Sequence, residues 1–240
     1  MDAALESADS GGHYEHAAIV EAIATFETKP LSTAQMGLLF GFADRLRGEY
    51  PASQARHLTT SQSGPTPALT GYVLSAPDGK QVVQAKPTGL SFSRLSPYDR
   101  WETFIAEAQR VWRIFQETVG VIELSFFAVR YINELMIPLG RPLYQFFNVY
   151  PAVPDKETLF NNLFLKIRYE LEGLPATVET IMTPRGFTDD VLNVAVLLDN
   201  DITFRIREEA KIWENLGKIR EMKNAVFESQ ITDELRKTLS

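Results

Sequence analysis

Apolar residues recur along the chain with two spacings, one typical of strands and one typical of helices. Residues 18–26 are apolar and partly β-branched, which predicts a largely buried strand. Ser32 and Gln35 have the spacing of a capping box, so a helix is predicted to follow and to run to about Arg47. The buried side of that helix is predicted to consist of Met36, Phe40, Ala43 and Leu46.

The next segment combines turn-forming residues with short apolar runs. Ser, Thr and Pro dominate residues 53–70, so a loop is predicted there, with at most a short strand at residues 57–59. The Asp78-Gly79 pair separates two apolar runs, which predicts a hairpin because Asp-Gly accepts the positive φ angles of a tight turn. Residues 89–95 alternate between apolar and polar types, as expected for a half-exposed strand.

A long amphipathic helix is predicted after Pro97 and Asp99, two residues that suit a first helical turn. Its apolar residues recur at spacings of three and four and form one face, which contains Trp101, Phe104, Ala108, Val111, Trp112, Phe115 and Val119. Basic residues do not alternate with these aromatics, as they would in a nucleic-acid groove. The face is therefore interpreted as part of a core that packs against a sheet.

After Gly120 the same order of elements is predicted again. A central strand at residues 124–135 is followed by a short helix through Leu143, Tyr144 and Phe147. Three strands are predicted next, at residues 163–171, 176–182 and 192–198, with a turn at Arg185-Gly186 between the last two. A final helix from about Arg205 carries an apolar stripe formed by Ala210, Trp213, Leu216, Ile219 and Met222.

These two series of elements predict an α+β fold made of two pseudo-repeats. A mobile tail at residues 1–16 is expected to precede a single domain at residues 17–240, whose repeats are residues 17–120 and 121–240. Each repeat has the order strand, helix, three strands and long helix. Their strands are predicted to form one curved antiparallel sheet packed against the long helices, as in helix-grip or saddle-like folds.

Composition and charge narrow the classes of function. The net charge of −7 disfavours nucleic-acid binding, because contacts to the phosphate backbone dominate that affinity. No apolar run approaches the roughly 20 residues that a membrane span needs, and the first residues lack the pattern of a secretory signal. The absence of cysteine excludes disulfides and thiolate chemistry. A cytoplasmic protein that does not bind membranes is expected.

Sequence motifs for catalysis or metal binding are sparse. The chain has no nucleophile elbow, phosphate-binding loop, dinucleotide fingerprint or His-Glu-x-x-His, so no catalytic residue and no cofactor is predicted. His13 and His16 have the spacing of two helical metal ligands, but they lack a third ligand, and no metal site is predicted. Asp189-Asp190 and Asp199 with Asp201 could bind a hard cation, but are interpreted as turn residues and as the start of the last helix.

The central strand contains three polar residues among apolar ones, namely Arg130, Tyr131 and Asn133. Side-chain alternation places Arg130 on one face and the other two on the opposite face. A guanidinium among apolar residues needs a partner, because an unpaired buried charge is prohibitive. Two hypotheses follow: Arg130 forms a structural ion pair with Glu21 or Glu179, or Arg130, Tyr131 and Asn133 contact a ligand or partner.

Three stretches together resemble a sporadically distributed bacterial family for which no activity is known. They are Ile19-Val20-Glu21-Ala22, the strand motif Arg130-Tyr131-Ile132-Asn133, and a C-terminal stretch that contains Ile231-Thr232-Asp233. The strand motif is the most specific of the three. Members of that family commonly continue it with Arg-Ile, whereas this chain has Glu134-Leu135. The patchy occurrence of the family is compatible with defence, immunity or toxin-partner roles.

The sequence supports two alternative hypotheses about function. The first is a non-enzymatic protein-interaction module that binds a protein partner or a second copy of itself, through its sheet or its terminal helices. The alternative is a small-molecule-binding or enzymatic helix-grip domain with a pocket between the sheet and the long helices. A cavity of several hundred cubic ångströms that reaches Arg130, Tyr131 or Asn133 would support the alternative, since ligand sites have about this size.

Overall fold

A computed structural model describes residues 18–58, 68–151, 163–187 and 192–239 of the chain. The strands in this part are β1 (Ile19–Thr28), β2 (Ala52–Leu58), β3 (Ala68–Ser75), β4 (Gln81–Lys86), β5 (Gly89–Leu95), β6 (Leu124–Pro138), β7 (Leu165–Leu171), β8 (Ala176–Phe187) and β9 (Asn193–Phe204). The α-helices are α1 (Thr33–Arg45), α2 (Trp101–Val119), α3 (Glu209–Glu214), α4 (Leu216–Gln230) and α5 (Asp233–Leu239), and a short 3-10 helix spans Leu143–Gln145.

All nine strands belong to one antiparallel sheet. Their order is β2-β3-β4-β5-β1-β6-β9-β8-β7, so β1 lies in the middle and pairs with β5 and β6. The hairpin predicted at Asp78-Gly79 is confirmed, because it joins β3 to β4 and Gly79 has a φ of +68°. The protein is thus an α+β structure with a single antiparallel sheet, as the sequence predicts.

One face of the sheet is covered by helices. Side chains alternate along a strand, so the covered face receives Ala24 and Phe26 from β1 and Phe127 and Val129 from β6, all of them buried. The indole ring of Trp112 on α2 stacks on Phe26 with 4.6 Å between ring centroids. The apolar face predicted for α2 is buried throughout, which confirms its assignment to the core.

The buried side of α1 differs from the prediction. The capping box is present, since Ser32 Oγ accepts a hydrogen bond from the Gln35 backbone N–H at 3.3 Å. Ala43 and Leu46 are buried as predicted, but Leu39 and Phe42 complete the buried side, whereas Met36 is half-buried and Phe40 is 61% exposed. The reason is that α1 packs against α2 as well as the sheet, and Phe42 meets Phe115 of α2 edge-on at 5.4 Å.

Several strands extend through residues that were predicted to form loops or turns. β2 occupies Ala52–Leu58, β8 continues through Arg185-Gly186 with an irregularity before Gly186, and β9 continues through Asp199 and Asp201. Pairing with β3, β6 and β9 supplies backbone hydrogen bonds along these segments and overrides their local turn preference. The predicted half-exposed strand β5 is buried over its first five residues, because it lies between β4 and β1.

The C-terminal region forms three helices instead of the single predicted one. Asn215 separates α3 from α4, and Ile231 with Thr232 separates α4 from α5. The residues that face the sheet are Ile212, Ile219, Val226 and Gln230, together with Leu235 and Leu239 of α5. Ala210, which was predicted to be buried, is exposed because the break at Asn215 changes the side that the helices present to the sheet.

Candidate functional site

Arg130 lies near the middle of the sheet, on the face that the described helices leave uncovered. Its Nε and Nη2 donate hydrogen bonds to Oδ1 and Oδ2 of Asp199 on β9, at 2.8 and 2.5 Å. This is the bidentate arrangement in which a guanidinium binds a carboxylate most strongly. The Arg130 side chain is 40% exposed and that of Asp199 only 13%. Of the predicted partners, Glu179 pairs with Lys166 at 2.8 Å, and Glu21 forms no ion pair within the described residues.

Asp201 places further negative charge beside this ion pair. It lies opposite Arg130 across β6 and β9, and opposite Glu179 across β9 and β8. Its Oδ1 is buried and accepts no hydrogen bond from the described residues. Burial raises the pKa of Asp201, and the charges of Asp199 and Glu179 act in the same direction, while Arg130 opposes them. No cation among the described residues forms a hydrogen bond with Asp201.

Apolar side chains surround these charges on the same face. Met136 is 43% exposed. Four further residues on this face are partly exposed, namely Ile23, Ile132, Ile181 and Leu197. Next to the charged residues, a row of small side chains crosses five adjacent strands and consists of Ser91, Thr25, Ala128, Thr203 and Thr177. Ser91, Ala128 and Thr177 of this row are buried. We call this surface, which is centred on Arg130 and which the described helices do not cover, the open face.

Asn133 points to the covered face and belongs to a buried polar layer, which we define as Asn133, Thr180, Asn200 and Gln230. Thr180 Oγ1 donates to Asn200 Oδ1 at 2.6 Å, and Asn200 Nδ2 donates to Gln230 Oε1 at 2.8 Å. Gln230 Nε2 donates in turn to Thr180 Oγ1 at 2.8 Å. Asn133 Nδ2 donates to the Leu198 carbonyl at 3.3 Å. Within the described residues, no side-chain polar atom of this layer is buried without a hydrogen-bond partner.

The buried polar layer lies between two hydrophobic clusters. Along β6, Val129 belongs to the larger cluster, Asn133 to the polar layer and Leu135 to the smaller cluster. The smaller cluster also contains Phe147 and residues of α5, including Leu235. The covered face is therefore divided by a stripe of hydrogen-bonded side chains, which gives Asn133 a structural role.

Tyr131 also points to the covered face and contacts two further polar residues. Its hydroxyl lies 3.3 Å from the hydroxyl of Tyr98, and Lys223 Nζ lies 4.5 Å from the centroid of its ring. Burial lowers the pKa of Lys223 to about 8, and the charge of Arg220 acts in the same direction. Burial raises the pKa of Tyr98 to about 12. This group attaches α4 to β6 through a cation–π contact.

Two cavities of the described part of the chain lie at α2, one at each end of this helix. The first has a volume of about 190 Å³, and its polar lining consists of Gln81, Arg94, Tyr98, Asp99, Arg100, Thr103 and Glu107. The second has a volume of about 600 Å³ and lies between Trp112, Val121, Leu124 and Arg207. Arg130, Tyr131 and Asn133 line neither of these two cavities.

Two of the sequence hypotheses concern residues that the structure does not describe, namely His13 with His16, and Asp189-Asp190. Within the described ranges, no three His, Asp or Glu side chains are placed to hold a metal ion. The helices of the described ranges include none with the length and apolar character to cross a membrane.

Sequence reasoning considered Asp199 and Asp201 only as cation ligands or turn residues, not as strand residues beside Arg130, and it did not find Gln230 or Lys223. For the two aspartates a signal was present: Ile202-Thr203-Phe204 continues the alternation of β9 beyond the Asp-Asn-Asp segment. That alternation indicates a strand through both aspartates. Gln230 and Lys223 lie in a helix without any local sign that they contact the sheet.

Comparison with known proteins defines the class of protein only coarsely. No protein-family model matches the chain. No curated protein matches it either. Among solved structures, the TBP of Methanococcus jannaschii matches over 85% of this chain and 95% of its own, with 11% sequence identity and a TM-score of 0.30. The class rests on the structure itself, which is that of an α+β protein with a single antiparallel sheet and a charged cluster on its open face.

Proposed function

We propose that this protein is a non-enzymatic protein-interaction module that binds a protein partner through its open face. The observation that carries the proposal is the composition of this face: the Arg130–Asp199 ion pair and Asp201 lie beside partly exposed apolar side chains such as Ile132 and Met136. The buried residues of all described helices belong to clusters on the other face. A sheet surface that combines apolar and charged groups suits association with a protein.

The proposal favours a protein over a nucleic acid because of the charge on the open face. Four carboxylates and three cations lie around its centre, which gives 3 − 4 = −1; they are Glu21, Glu179, Asp199 and Asp201, with Arg130, Lys166 and Arg168. Contacts to phosphate need an excess of cations, so this surface repels a nucleic-acid backbone. The proposed location is the cytoplasm.

A second part of the proposal concerns the internal symmetry of the fold. We propose that residues 17–120 and 121–240 are repeats that form a saddle-like or helix-grip sheet. The strand order supports this: β1, β5, β4 and β3 follow one another on one side of the centre, and β6, β9, β8 and β7 on the other. β2 is an addition to the first repeat.

We also propose that the chain belongs to the bacterial family with the Arg-Tyr-Ile-Asn motif and has a defence, immunity or toxin-partner role. Both proposals rest on the sequence resemblance alone.

Photo-crosslinking from the open face tests the proposed function. Benzoylphenylalanine in place of Met136 is expected to form an adduct with one partner in cells, because Met136 is 43% exposed on that face. The same group in place of Arg113, which is exposed on α2, is the control and is expected to form none. The partner is identified by mass spectrometry, purified and tested for direct binding. A second substitution, Ile132→Asp, is expected to abolish the Met136 adduct.

Two outcomes of the crosslinking experiment contradict the proposed function. The first is an identical set of adducts from Met136 and Arg113, which would mean that the open face has no preferred partner. The second is a protein that stays monomeric in sedimentation and forms no adduct from Met136 under any growth condition. Neither outcome depends on the charge of the partner.

A second candidate function is the binding of a small molecule in a pocket between the sheet and α2. The 190 Å³ cavity favours it, because Arg94 lines this cavity and forms no ion pair within the described residues. Phe92 and Phe104 supply apolar walls, and Thr103 supplies a hydroxyl. An arginine that is not neutralised by the protein is suited to a carboxylate or phosphate group of a ligand. No catalytic residue is assigned in this candidate.

Thermal unfolding in the presence of small anions tests the second candidate. Succinate and inorganic phosphate are the probes, and one of them is expected to raise the Tm of the wild-type protein. Arg94→Gln is expected to remove the shift, whereas Arg113→Gln removes the same charge from an exposed position on α2 and is expected to leave the shift unchanged. Equal Tm values with and without both anions would reject this candidate.

A further inference from the structure

We infer that the cavity of about 600 Å³ beside α2 is a binding site for an amino acid with an apolar side chain. Arg207 binds the carboxylate group of this ligand, Glu209 binds its ammonium group, and Val121 and Ile122 contact its side chain. The cavity is within the usual size range of small-molecule sites, about 300 to 1,000 Å³. It lies apart from the open face and from the 190 Å³ cavity, so this site goes beyond the proposed function.

The apolar wall of the cavity is accessible and held in place. Val121 and Ile122 belong to the loop between α2 and β6, where Val121 is 97% exposed and Ile122 is half-buried. Gln35 Nε2 on α1 donates hydrogen bonds to the carbonyl oxygens of Val119 and Val121, at 3.2 and 2.9 Å. Because these bonds fix the loop before a ligand arrives, less conformational entropy is lost on binding.

Glu209 supplies a carboxylate that no cation neutralises. Its Oε2 accepts a hydrogen bond from Gln116 Nε2 at 2.6 Å, and its Oε1 accepts one from Trp213 Nε1 at 3.1 Å. Both donors are neutral, and within the described residues Glu209 forms no ion pair. An ionised carboxylate has about four acceptor positions, so two bonds leave capacity for an ammonium group in the cavity. The side chain is half-buried, and its carboxylate is already oriented.

Arg207 supplies the positive charge of the lining. Its side chain is exposed and has neither a hydrogen bond nor an ion pair within the part of the chain that the structure describes. Arg207 precedes Glu209, the first residue of α3, by two positions, so one short segment brings both charges to the cavity. The planar guanidinium group presents paired donors that fit a carboxylate.

The charge balance of the lining favours a zwitterion over an ion of either sign. The third charged residue of the lining, Glu123, is neutralised by Lys29, whose Nζ lies 2.7 Å from Glu123 Oε1. Arg207 and Glu209 remain, and their charges add to 1 − 1 = 0. A ligand with a single charge leaves one of these two groups without a partner and is repelled by it. A carboxylate and an ammonium group on one small molecule pair with both.

Isothermal titration calorimetry of the full chain with phenylalanine tests the inference. The wild-type protein is expected to bind this zwitterion. Phenylpropanoate, which lacks the ammonium group, and phenethylamine, which lacks the carboxylate, are each expected to bind about tenfold more weakly, the effect of losing one hydrogen bond to a charged group. Glycine has both charges but no apolar side chain, and it is expected to produce no measurable binding.

Two pairs of variants locate the binding site. Arg207→Gln is expected to weaken phenylalanine binding about tenfold. Arg113→Gln removes the same charge from an exposed position on α2 outside the lining, and it is expected to change the affinity less than about twofold. Glu209→Gln is expected to weaken binding as much as Arg207→Gln, whereas Glu214→Gln, at an exposed position on α3, is the matched control. The Tm of each variant is measured alongside.

Three results would overturn the inference. The first is the absence of saturable heat when phenylalanine is added to the wild-type protein. The second is an equal affinity for phenylalanine and for either analogue, which would mean that one of the two charges is not recognised. The third is an equal affinity of Arg207→Gln and Arg113→Gln for phenylalanine. An unfolded Glu209→Gln variant does not affect the test, because phenylpropanoate probes the ammonium contact in the wild-type protein.

Discussion

Replacement of Asn200 by leucine is expected to lower the free energy of unfolding by about 3 kcal/mol, because it leaves buried polar groups without partners. Asn200 is 4% exposed and has side-chain hydrogen bonds with both Thr180 and Gln230. After the substitution, Gln230 Oε1 and the Thr180 hydroxyl lose a partner in a region that water does not reach. The free energy of unfolding in water is measured for both proteins by urea unfolding and linear extrapolation to zero urea.

A triple variant serves as the control for this prediction. Thr180→Val, Asn200→Leu and Gln230→Met together replace the hydrogen-bonded set by apolar groups of similar shape. Such a replacement is expected to recover most of the lost stability, because no buried group is then left unsatisfied. A single Asn200→Leu variant that is as stable as the wild type, or a triple variant that is less stable than the single one, would contradict the role assigned to these hydrogen bonds.

Replacement of Arg130 by methionine is expected to lower the free energy of unfolding by about 2 kcal/mol. The change leaves Asp199, 13% exposed, beside Asp201 without its cation. Removal of one partner from a fully buried pair costs about 3 to 5 kcal/mol. The expected loss is smaller here because the Arg130 side chain is 40% exposed and water screens part of the interaction.

A double-mutant cycle isolates the contribution of this ion pair. Arg130→Met, Asp199→Asn and the double variant are unfolded in urea, and the double variant is expected to be more stable than Arg130→Met alone. Arg168→Met, which removes an exposed arginine from the edge strand β7, is the matched control and is expected to change stability by less than about 0.5 kcal/mol. Purely additive effects of Arg130→Met and Asp199→Asn would contradict a direct coupling.

The position of Arg130 could be predicted from the sequence, but its partner could not. Period-two alternation in β6 separates Arg130 from Tyr131 and Asn133, and the structure places them on opposite faces accordingly. The partner Asp199 belongs to an Asp-Asn-Asp segment whose local preference is for turns. Only the pairing of β9 with β6 and β8, which involves residues far apart in sequence, holds this segment in a strand.

On the helix-covered face, too, the sequence predicts the apolar side chains but not the polar contacts. The apolar faces of β1 and α2 follow from periodicity, because burial of apolar area dominates the choice of face there. The polar residues Asn200 and Gln230 are 30 positions apart and meet only when α4 lies on β9. No pattern within either segment indicates this contact. The sequence therefore predicts the hydrophobic layers of the fold better than the polar groups that lie between them.

The buried polar layer also determines how strands β8 and β9 align. A shift of β9 by two residues would keep its apolar side chains on the covered face, but it would place Leu198 or Ile202 opposite Thr180 in place of Asn200. Thr180 and the Gln230 amide would then lose their partners. If only apolar side chains lined the covered face, β9 could shift by two residues at little cost. The buried polar layer makes this shift unfavourable. The same hydrogen bonds thereby keep Asp201 level with Glu179 of β8 on the opposite face, so the alignment of these two strands on the open face is set from within the core.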